Sequence, residues 1–435
     1  MNKWLANKAY SFAGFLRGEN ISQKLEELET TQWYTRNELF SYQEKKFQLL
    51  IAEIKGWTPY YQEFLKEVNS LKDITKIPVL TKSLIREKLD GILHPNFRKI
   101  NPLRYSSSGT TGEPLALYLD RLSIGYFHAA QWRGFGWYGI TPGDRGVKIW
   151  GGALTLKSRV IENLKDCFSN RARISAFGIS ASLIAKLWNK CLQDKPEYLY
   201  GYASAIFLLA SFIEETAIDG KELGLKLIVS TSEKLYDFQR EKIKNVFGCP
   251  VVNEYGACES GVIAFECPNG NLHTTMENVY LEVSDKGKLL ITNFNNLSMP
   301  FIRYEIGDVV SISDEQCACG RKSLLIKDII GRESDFLVTP SGKNIHSEIF
   351  SYINRDLVSK GYLVKEFKVV QKEIDRVVVY LPEVYTGERD IRDFIYSRLN
   401  KITNNEIEIK FESIKEILPE ISGKKRYFLN ELRKS

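Results

Sequence analysis

Residues 105–114 form a segment of small hydroxyl and glycine residues, Tyr-Ser-Ser-Ser-Gly-Thr-Thr-Gly-Glu-Pro. Glycine permits positive φ and close backbone approach, consecutive N–H groups can surround an anion, and Ser and Thr hydroxyls add donors. These properties suit a polyphosphate. A Walker A loop requires Gly-Lys-Ser/Thr leading into a helix, whereas the alternating residues 115–120 follow here. We therefore predict a strand-loop-strand hairpin, with a plain Gly/Ser-rich turn as the alternative.

A second group of residues has the chemistry of a metal site. Cys267 and His273 form a Cys-x5-His pair, and Cys317 and Cys319 follow in a Cys-x-Cys-Gly-Arg segment. Three thiolates and one imidazole match the tetrahedral N/S preference of Zn²⁺, and four protein ligands leave no position for water. The pattern predicts a structural zinc site. The other cysteines outside the motifs, Cys167, Cys191 and Cys249, are expected to fill cores.

The helices and strands that position these residues follow from the sequence pattern. The first hundred residues have helical periodicity, with Leu39, Phe40 and Phe47 among the apolar residues assigned to one face. From about 100 to 330, short β-rich runs alternate with helical patterns, which favours α/β layers. Two predicted antiparallel strands, a helix over about 388–400 and a further strand follow. We predict a large α/β domain of layered sheets and helices over 1–331 and a small α+β domain on a hinge over 332–435.

Composition excludes several classes of protein. The 435 residues include 60 Lys and Arg against 54 Asp and Glu, a net charge of +6 without basic blocks, so a dedicated nucleic-acid binder is not expected. No apolar run reaches the ~18–20 residues of a spanning helix, and the N-terminus lacks a signal-peptide pattern. These features predict a cytoplasmic protein without membrane partners, and a homodimer stays open.

Several segments together resemble the adenylate-forming superfamily of acyl-CoA synthetases, adenylation domains and luciferases. The segments are residues 106–114, 254–259, 303–308, 331–335 and 419–426, in the family's order. The resemblance implies that the phosphates of ATP are held by Ser107, Gly109, Thr110, Thr111 and Gly112. It also implies that Tyr255 stacks on adenine, Glu259 holds Mg²⁺ and takes part in catalysis, and Asp308 and Arg332 bind the ribose.

The resemblance also implies that the last two segments contain the hinge between the domains and the catalytic lysine. Lys424, in Ser-Gly-Lys, corresponds to the catalytic lysine that stabilises charge between the carboxylate substrate and the α-phosphate. Residues 331–335 correspond to the hinge, with Ser334 and Asp335 as the two candidate hinge residues. The small domain would rotate about the hinge after adenylation. Cys258, inside the adenine motif, is expected to pack behind the nucleotide, with a role as a substitute zinc ligand left open.

Within this superfamily, the chain resembles the phenylacetate-CoA ligase branch and its relatives encoded with capsular polysaccharide biosynthesis. Three features carry this resemblance: the chain length, the segment 77–88, and Leu115 directly after Pro114. The resemblance to this branch also implies that the Cys/His group binds zinc. The expected reaction is ATP-dependent activation of a carboxylic acid, followed by transfer to CoA. Transfer to another acceptor such as a sugar amine, and a non-catalytic nucleotide-binding scaffold, are the alternatives. Candidate residues of the acyl pocket are Trp150, Gly151, Gly152, Tyr200, Gly201, Tyr202, Ser232 and Glu233. The aromatic segment 126–138 and His128 are expected to belong to the core.

Overall fold

The computed structural model describes residues 2–106, 115–150, 166, 168–175, 181–216, 218–332, 336–360, 362, 367–385, 389–417 and 427–432. Contacts divide these residues into two compact units, the first reaching Ile330 and the second starting at Gly331. Within the described ranges, no helix combines the length and apolarity needed to cross a membrane.

Helices dominate the first hundred residues, as predicted. The α-helices of the first unit are α1 Lys3–Leu16, α2 Ile21–Thr31, α3 Arg36–Ile54, α4 Pro59–Gln62, α5 Lys82–Ile92, α6 Phe97–Ile100, α7 Arg121–Gly136, α8 Ala181–Asp194, α9 Ala203–Glu215 and α10 Asp237–Phe247, with 3₁₀ turns at Phe64–Glu67, Leu71–Lys76 and Gly220–Leu223. A capping box starts α3, where Thr35 Oγ1 accepts from the Glu38 N–H at 3.3 Å and the Glu38 carboxylate accepts from the Thr35 N–H at 2.8 Å. This arrangement satisfies two N–H groups at the start of the helix.

One assignment to the buried face of α3 was wrong. Leu39, Phe47 and the apolar residues at the end of the helix are buried, but Phe40 is 44% exposed. Each residue turns the helix by about 100°, which places Phe40 only about 20° from Phe47 around the axis, so the helical periodicity alone does not distinguish this exposed residue from its buried neighbours. Gln43 occupies the buried position between them and donates through Nε2 to the carbonyls of Met276 and Val279, both at 2.9 Å.

A large mixed sheet forms the centre of the first unit. The strands are β1 Leu103–Ser106, β2 Ala116–Leu119, β3 Gly146–Trp150, β4 Arg171–Ser175, β5 Tyr198–Tyr202, β6 Leu227–Thr231, β7 Val251–Ala257, β8 Gly261–Glu266, β9 Leu272–Thr274, β10 Val279–Val283, β11 Lys288–Asn293, β12 Tyr304–Ser313 and β13 Leu325–Arg332. The sheet has eleven strands in the order β10-β11-β12-β13-β9-β8-β7-β6-β5-β3-β4. The strands from β4 to β7 pair in parallel, and β7, β8, β9 and β13 pair antiparallel.

Helices cover both faces of the parallel part. Apolar residues of α8, α9 and α10 pack on one face, while α7 and residues of α1 and α2 pack on the other. Such cover explains why β5 and β6 are buried at every position, since parallel sheets bury both faces. Gly134 lets α7 approach the sheet, because a Cβ atom there would lie 2.4 Å from the ring of Phe265.

The strands flanking the glycine-hydroxyl segment form the predicted hairpin. β1 and β2 pair antiparallel from Leu103 opposite Leu119 to Ser106 opposite Ala116. Leu117 and Leu119 are buried in a core that also contains Tyr255 and Tyr304. The hairpin is therefore anchored beside the strands that carry the adenine and ribose motifs.

The second unit is the predicted α+β fold. Its elements are β14 Phe336–Val338, β15 Asn344–His346, α11 Glu348–Ser359, β16 Lys368–Glu373, β17 Arg376–Pro382, a 3₁₀ turn at Glu383–Tyr385, α12 Arg389–Thr403, β18 Glu408–Ile414 and β19 Phe428–Asn430. A four-stranded sheet has the order β18-β17-β16-β19, with β16 and β17 antiparallel as expected. Apolar residues of α11 and α12 join those of the sheet in one core.

Candidate active site and metal centre

Tyr255 and Asp308, assigned to adenine and ribose, lie in direct contact. Tyr255 is on β7 and Asp308 on β12, strands that are not neighbours in the sheet. The Tyr255 hydroxyl donates to Asp308 Oδ2 at 2.8 Å across 53 residues of sequence. The fold therefore brings an aromatic ring and a carboxylate from two of the recognised segments to one place.

Glu259, the expected magnesium ligand, follows β7 in the turn before β8. It is buried, and its Oε1 accepts a hydrogen bond from the Tyr304 hydroxyl at 3.0 Å. Its backbone carbonyl accepts from Asn293 Nδ2 at 2.9 Å. No hydrogen bond reaches Oε2 of Glu259 within the described part of the chain. A carboxylate held by one oxygen with the second available is the hard oxygen donor that Mg²⁺ requires.

Arg303, which begins the ribose motif, is a structural residue. Its Nε donates to Glu282 Oε1 at 3.0 Å, and its Nη1 donates to the Ile77 carbonyl at 2.7 Å. Next to it, the Leu80 N–H donates to the Arg303 carbonyl at 3.0 Å, and the Leu80 carbonyl accepts from the Glu305 N–H at 2.9 Å. The segment 77–88 thus attaches beside β12 and supports the start of the motif.

A buried carboxylate precedes the adenine tyrosine. Glu254 accepts hydrogen bonds at Oε1 from Tyr200 at 2.9 Å and Thr231 at 3.1 Å, and at Oε2 from Gln131 at 3.0 Å. Burial raises the pKa of Glu254, although these three donors oppose the effect. The network joins β5, β6, β7 and α7 directly below Tyr255. Sequence reasoning missed it; the available signal was the alternation that places Glu254 and Tyr255 on opposite faces of β7.

The four predicted metal ligands come together. One ligand atom from each of Cys267, His273, Cys317 and Cys319 lies within 4.8 Å of all the others. The Sγ atoms of Cys267 and Cys317 are 3.7 Å apart, and Cys319 Sγ is 3.2 Å from His273 Nε2. A tetrahedral zinc ion would separate two thiolates by about 3.8 Å and a thiolate from an imidazole nitrogen by about 3.6 Å. The geometry fits this donor set.

Neighbouring groups orient these ligands. His273 Nδ1 is 3.0 Å from Ser323 Oγ, which leaves Nε2 facing Cys319. Such a contact to the second nitrogen is typical of a metal-ligating histidine. Burial and nearby arginines lower the pKa of His273 to about 4, so the ring is neutral near pH 7. Cys317 Sγ also accepts from Asn271 Nδ2 at 3.3 Å.

The cysteine-bearing loop is attached to the N-terminal helices. Arg36 on α3 donates to the carbonyls of Asp314 and Lys322, the former at 3.2 Å. Arg321 donates through Nε to Gln32 Oε1 at 3.1 Å and stacks over Trp137 at 4.1 Å from the ring centroid. The Cys/His group therefore lies where the sheet, the loop before β13 and the helical segment meet.

The remaining cysteines give a mixed result. Cys191 and Cys249 are buried, which confirms the core prediction. Cys258 is exposed in the turn after β7 and lies outside the four-residue metal group. Its expected place behind the nucleotide concerns the ATP complex and stays a prediction.

The candidate acyl-pocket aromatics lie at the carboxyl ends of parallel strands. Trp150 ends β3 and Tyr202 ends β5, with ring centroids 4.5 Å apart, and Trp150 stacks on Tyr200 at 5.7 Å. Ligands of open α/β sheets bind at this edge. Glu233 Oε2 accepts from the Ser204 N–H at 2.9 Å. The position of Lys148 beside these rings was not anticipated.

Helix α7, which carries the aromatic segment, is a core helix. Tyr126, Trp132 and Phe135 are fully or almost fully buried and pack between the sheet and the N-terminal helices. His128 stacks on Phe127 with centroids 5.0 Å apart. Burial lowers the pKa of His128 to about 4, so it is a neutral packed histidine, as expected.

Several predicted residues lie outside the described residues, and their roles remain predictions. They are Ser107, Gly109, Thr110, Thr111, Gly112, Gly151, Gly152, Cys167, Ser334, Asp335 and Lys424. Arg332 is the last residue of β13.

Comparison with known proteins finds similarity to three curated proteins. No family model matches the chain. Protein CapK of Staphylococcus aureus is 26% identical over 429 residues, which span 91% of this chain and 90% of that protein. A phenylacetate-coenzyme A ligase of Thermus thermophilus is 24% identical over 354 residues, 74% of this chain and 75% of the ligase. These similarities support the resemblance to the adenylate-forming superfamily and to its phenylacetate-CoA ligase branch.

Solved structures of an acyl-CoA ligase share the fold. The structure of 2-hydroxyisobutyryl-CoA ligase in the postadenylation state, with the adenylate R3-HIB-AMP, aligns with a TM-score of 0.71 over 92% of both chains at 18% identity. The same ligase with 2-HIB-AMP and CoA, in the thioesterification state, aligns with a TM-score of 0.62 at 20% identity, over 92% of this chain and 91% of the ligase. An indoleacetate–lysine synthetase of Pseudomonas savastanoi is 26% identical over 277 residues, 60% of this chain and 63% of that protein.

Proposed function

We propose that this protein activates a carboxylic acid with ATP, forming an acyl-adenylate and pyrophosphate, and transfers the acyl group to CoA. The observation that carries the proposal is the contact between Tyr255 and Asp308. A ring for adenine and a carboxylate for ribose must be adjacent to bind one nucleoside. A carboxylate can accept hydrogen bonds from both ribose hydroxyls.

The remaining nucleotide contacts follow from the family resemblance. Arg332 would bind the ribose, and Ser107, Gly109, Thr110, Thr111 and Gly112 would hold the β- and γ-phosphates. Glu259 would hold Mg²⁺, which neutralises phosphate charge. The hydrogen bond from Tyr304 fixes the Glu259 carboxylate beforehand, so little reorganisation is required when the metal binds.

The chemistry then depends mostly on positioning. The substrate carboxylate attacks the α-phosphorus, the bond from that phosphorus to the bridging oxygen breaks, and pyrophosphate leaves. Holding both reactants in line removes much of the entropic barrier. Lys424 would stabilise the charge that develops between the carboxylate and the α-phosphate, a role suited to a compact ammonium group. In the second step, the thiolate of CoA attacks the acyl carbonyl and AMP leaves, after rotation of the small domain about Ser334 or Asp335.

Zinc is proposed at Cys267, His273, Cys317 and Cys319. The donor set and separations fit a closed tetrahedral site, so the ion would have a structural role. Its effect would be to fix the loop of residues 314–323 between β12 and β13. This loop contacts α2 and α3 through Arg321 and Arg36, so the ion would also stabilise the helical segment.

An amine acceptor is the second candidate. It is favoured by the similarity to a synthetase whose name joins indoleacetate to lysine. Transfer to an amine would share the adenylation half-reaction and differ only in the nucleophile. The amine could belong to a sugar, the acceptor expected if the protein acts in capsular polysaccharide biosynthesis. A non-catalytic scaffold would not need Glu259 to be oriented by Tyr304, so the geometry favours an enzyme.

The test is a screen of carboxylic acids with ATP and Mg²⁺, measured by acid-dependent pyrophosphate exchange. We expect at least one acid class to support exchange, and CoA to increase AMP formation and yield an acyl thioester detected by mass spectrometry. An Asp308→Ala variant serves as the negative control, since it should raise the KM for ATP. If ATP binds but no acid supports exchange, the protein is a nucleotide-binding scaffold. If amines but not CoA discharge the adenylate, the second candidate holds.

A further inference from the structure

One lysine of the candidate acyl region, Lys148, has no anionic partner among the residues that the structure describes. Lys148 lies on β3, opposite Arg173 on β4 and Tyr200 on β5. Residues in register, and residues two positions apart on one strand, share a face of a sheet. Lys148, Trp150 and Tyr200 therefore lie on the same face, near the carboxyl ends of the strands.

The ammonium group of Lys148 lies over two aromatic rings. Its Nζ lies 4.4 Å from the ring centroid of Trp150 and 5.1 Å from that of Tyr200, and the two rings are parallel within 7°. Within the described residues, no oxygen accepts a hydrogen bond from Lys148. Cation–π contacts compensate only part of the lost hydration of an ammonium group.

The nearest carboxylates are already engaged by other groups. Both oxygens of Glu254 accept hydrogen bonds from neutral donors, among them Tyr200. Asp166 pairs with Arg173, whose Nε donates to Oδ2 at 2.6 Å. Arg171 adds a second positive charge, and its Nε donates to the neutral hydroxyl of Tyr198 at 2.7 Å. Positive charge thus exceeds negative charge on this face.

The charge balance has a measurable consequence. Burial, together with the positive charges of Arg171 and Arg173, lowers the pKa of Lys148 to about 7, while Asp166 and Glu254 act in the opposite direction. Near neutral pH, the ammonium form is therefore poorly stabilised in the absence of a ligand. An anion placed against Nζ would supply the missing hydrogen bond and favour the charged form.

Lys148 lies where the far end of a bound carboxylic acid would reach. Glu254 immediately precedes Tyr255, the adenine residue, and shares its hydrogen-bond network with Tyr200. The acid must reach the α-phosphate of a nucleotide bound near Tyr255, and Trp150 and Tyr202 at the ends of β3 and β5 are candidates for the pocket wall. A group on the far end of the acid would then approach Lys148.

We propose that Lys148 binds an anionic substituent of the acid, so that the substrate is a carboxylic acid with a second negatively charged group, such as a short dicarboxylate. This inference rests on the proposed function and specifies its substrate class. Trp150 and Tyr200 would line the passage for the carbon chain, and the second carboxylate would accept a charge-assisted hydrogen bond from Nζ. An uncharged aromatic acid is the competing substrate, since it could stack on the same rings.

The experiment compares dicarboxylic acids with their own monoamides, which have the same shape without the second charge. Acid-dependent pyrophosphate exchange is measured for wild-type protein, Lys148→Met and Lys148→Arg. We expect wild-type kcat/KM to favour the dicarboxylate by about 10- to 100-fold, the range for a hydrogen bond to a charged group. The preference should disappear in Lys148→Met, mainly through KM, and persist in Lys148→Arg.

The control is Lys372→Met, which removes a lysine stacked over Tyr380 at 5.8 Å on the surface of the second unit. It should retain the wild-type preference. An unchanged preference in a folded Lys148→Met protein, or a wild-type preference for uncharged aromatic acids, would overturn the inference while leaving the adenylation proposal intact. Absence of exchange with every acid in wild-type protein would overturn both. Thermal unfolding establishes that each variant is folded, and Lys148→Gln replaces Lys148→Met if that variant is not.

Discussion

The proposed zinc site at the Cys/His group allows the most direct test of the structure. Cys319→Ser removes one of four ligand atoms from a site whose observed separations, 3.7 Å and 3.2 Å, approach those of a zinc tetrahedron. Ser323→Ala leaves all four ligands in place but removes the contact to His273 Nδ1 at 3.0 Å. Loss of such an orienting group lowers metal affinity by about 10- to 100-fold, which corresponds to about 1.4–2.7 kcal/mol.

The effect on stability follows from mass action. A metal that binds only the folded state at 1,000 times its Kd stabilises that state by about 4 kcal/mol. We therefore expect chelation and Cys319→Ser to lower the Tm together with the metal content. Ser323→Ala should retain metal in zinc-containing buffer but release it to a competing chelator at a lower concentration than wild-type protein does.

The assay is elemental analysis of protein purified without chelator, together with calorimetry at fixed zinc concentrations. Cys258→Ser is the matched control, because Cys258 is an exposed thiol outside the metal group. It should retain wild-type metal content and Tm. Wild-type protein with well under one zinc per chain would refute the reasoning. So would a Ser323→Ala variant whose chelator sensitivity equals that of wild-type protein.

Three further predictions concern the active site and the core. Lys424→Ala should abolish acid-dependent pyrophosphate exchange while ATP binding, measured by calorimetry, stays near the wild-type value; equal exchange rates would contradict the lysine assignment. Tyr255→Phe removes the donor to Asp308 but keeps the ring, so the KM for ATP should rise by less than about tenfold, and Tyr255→Ala should raise it more; identical effects would exclude stacking on adenine. Burial holds the pKa of His128 at about 4, against about 6.5 in an unfolded chain. The stability that this neutral ring provides is complete above about pH 6.5 and is lost as the pH falls towards 4, so His128→Gln should flatten the decline of Tm over that range, and parallel curves would contradict the assignment.

Local patterns predicted most elements correctly. The alternation after residue 115 predicted a strand, and Leu117 and Leu119 are indeed its buried residues. Phe40 shows the limit of such reasoning, because an apolar residue next to a helical stripe cannot be assigned to a face from composition alone.

Residue chemistry and local periodicity were sufficient to predict most helices and strands and the four members of the Cys/His group, since these depend on residue type, spacing and short-range backbone preference. Long-range pairing decided which side chains meet. The pairing of β9 with β13 places His273 opposite Leu325 and near the Cys317–Cys319 turn, and packing of distant strands joins Tyr255 to Asp308. The setting of Lys148 depends on three strands in register and on carboxylates that other residues already engage. These relations are set by the packing of the whole sheet, which no short window of residues contains.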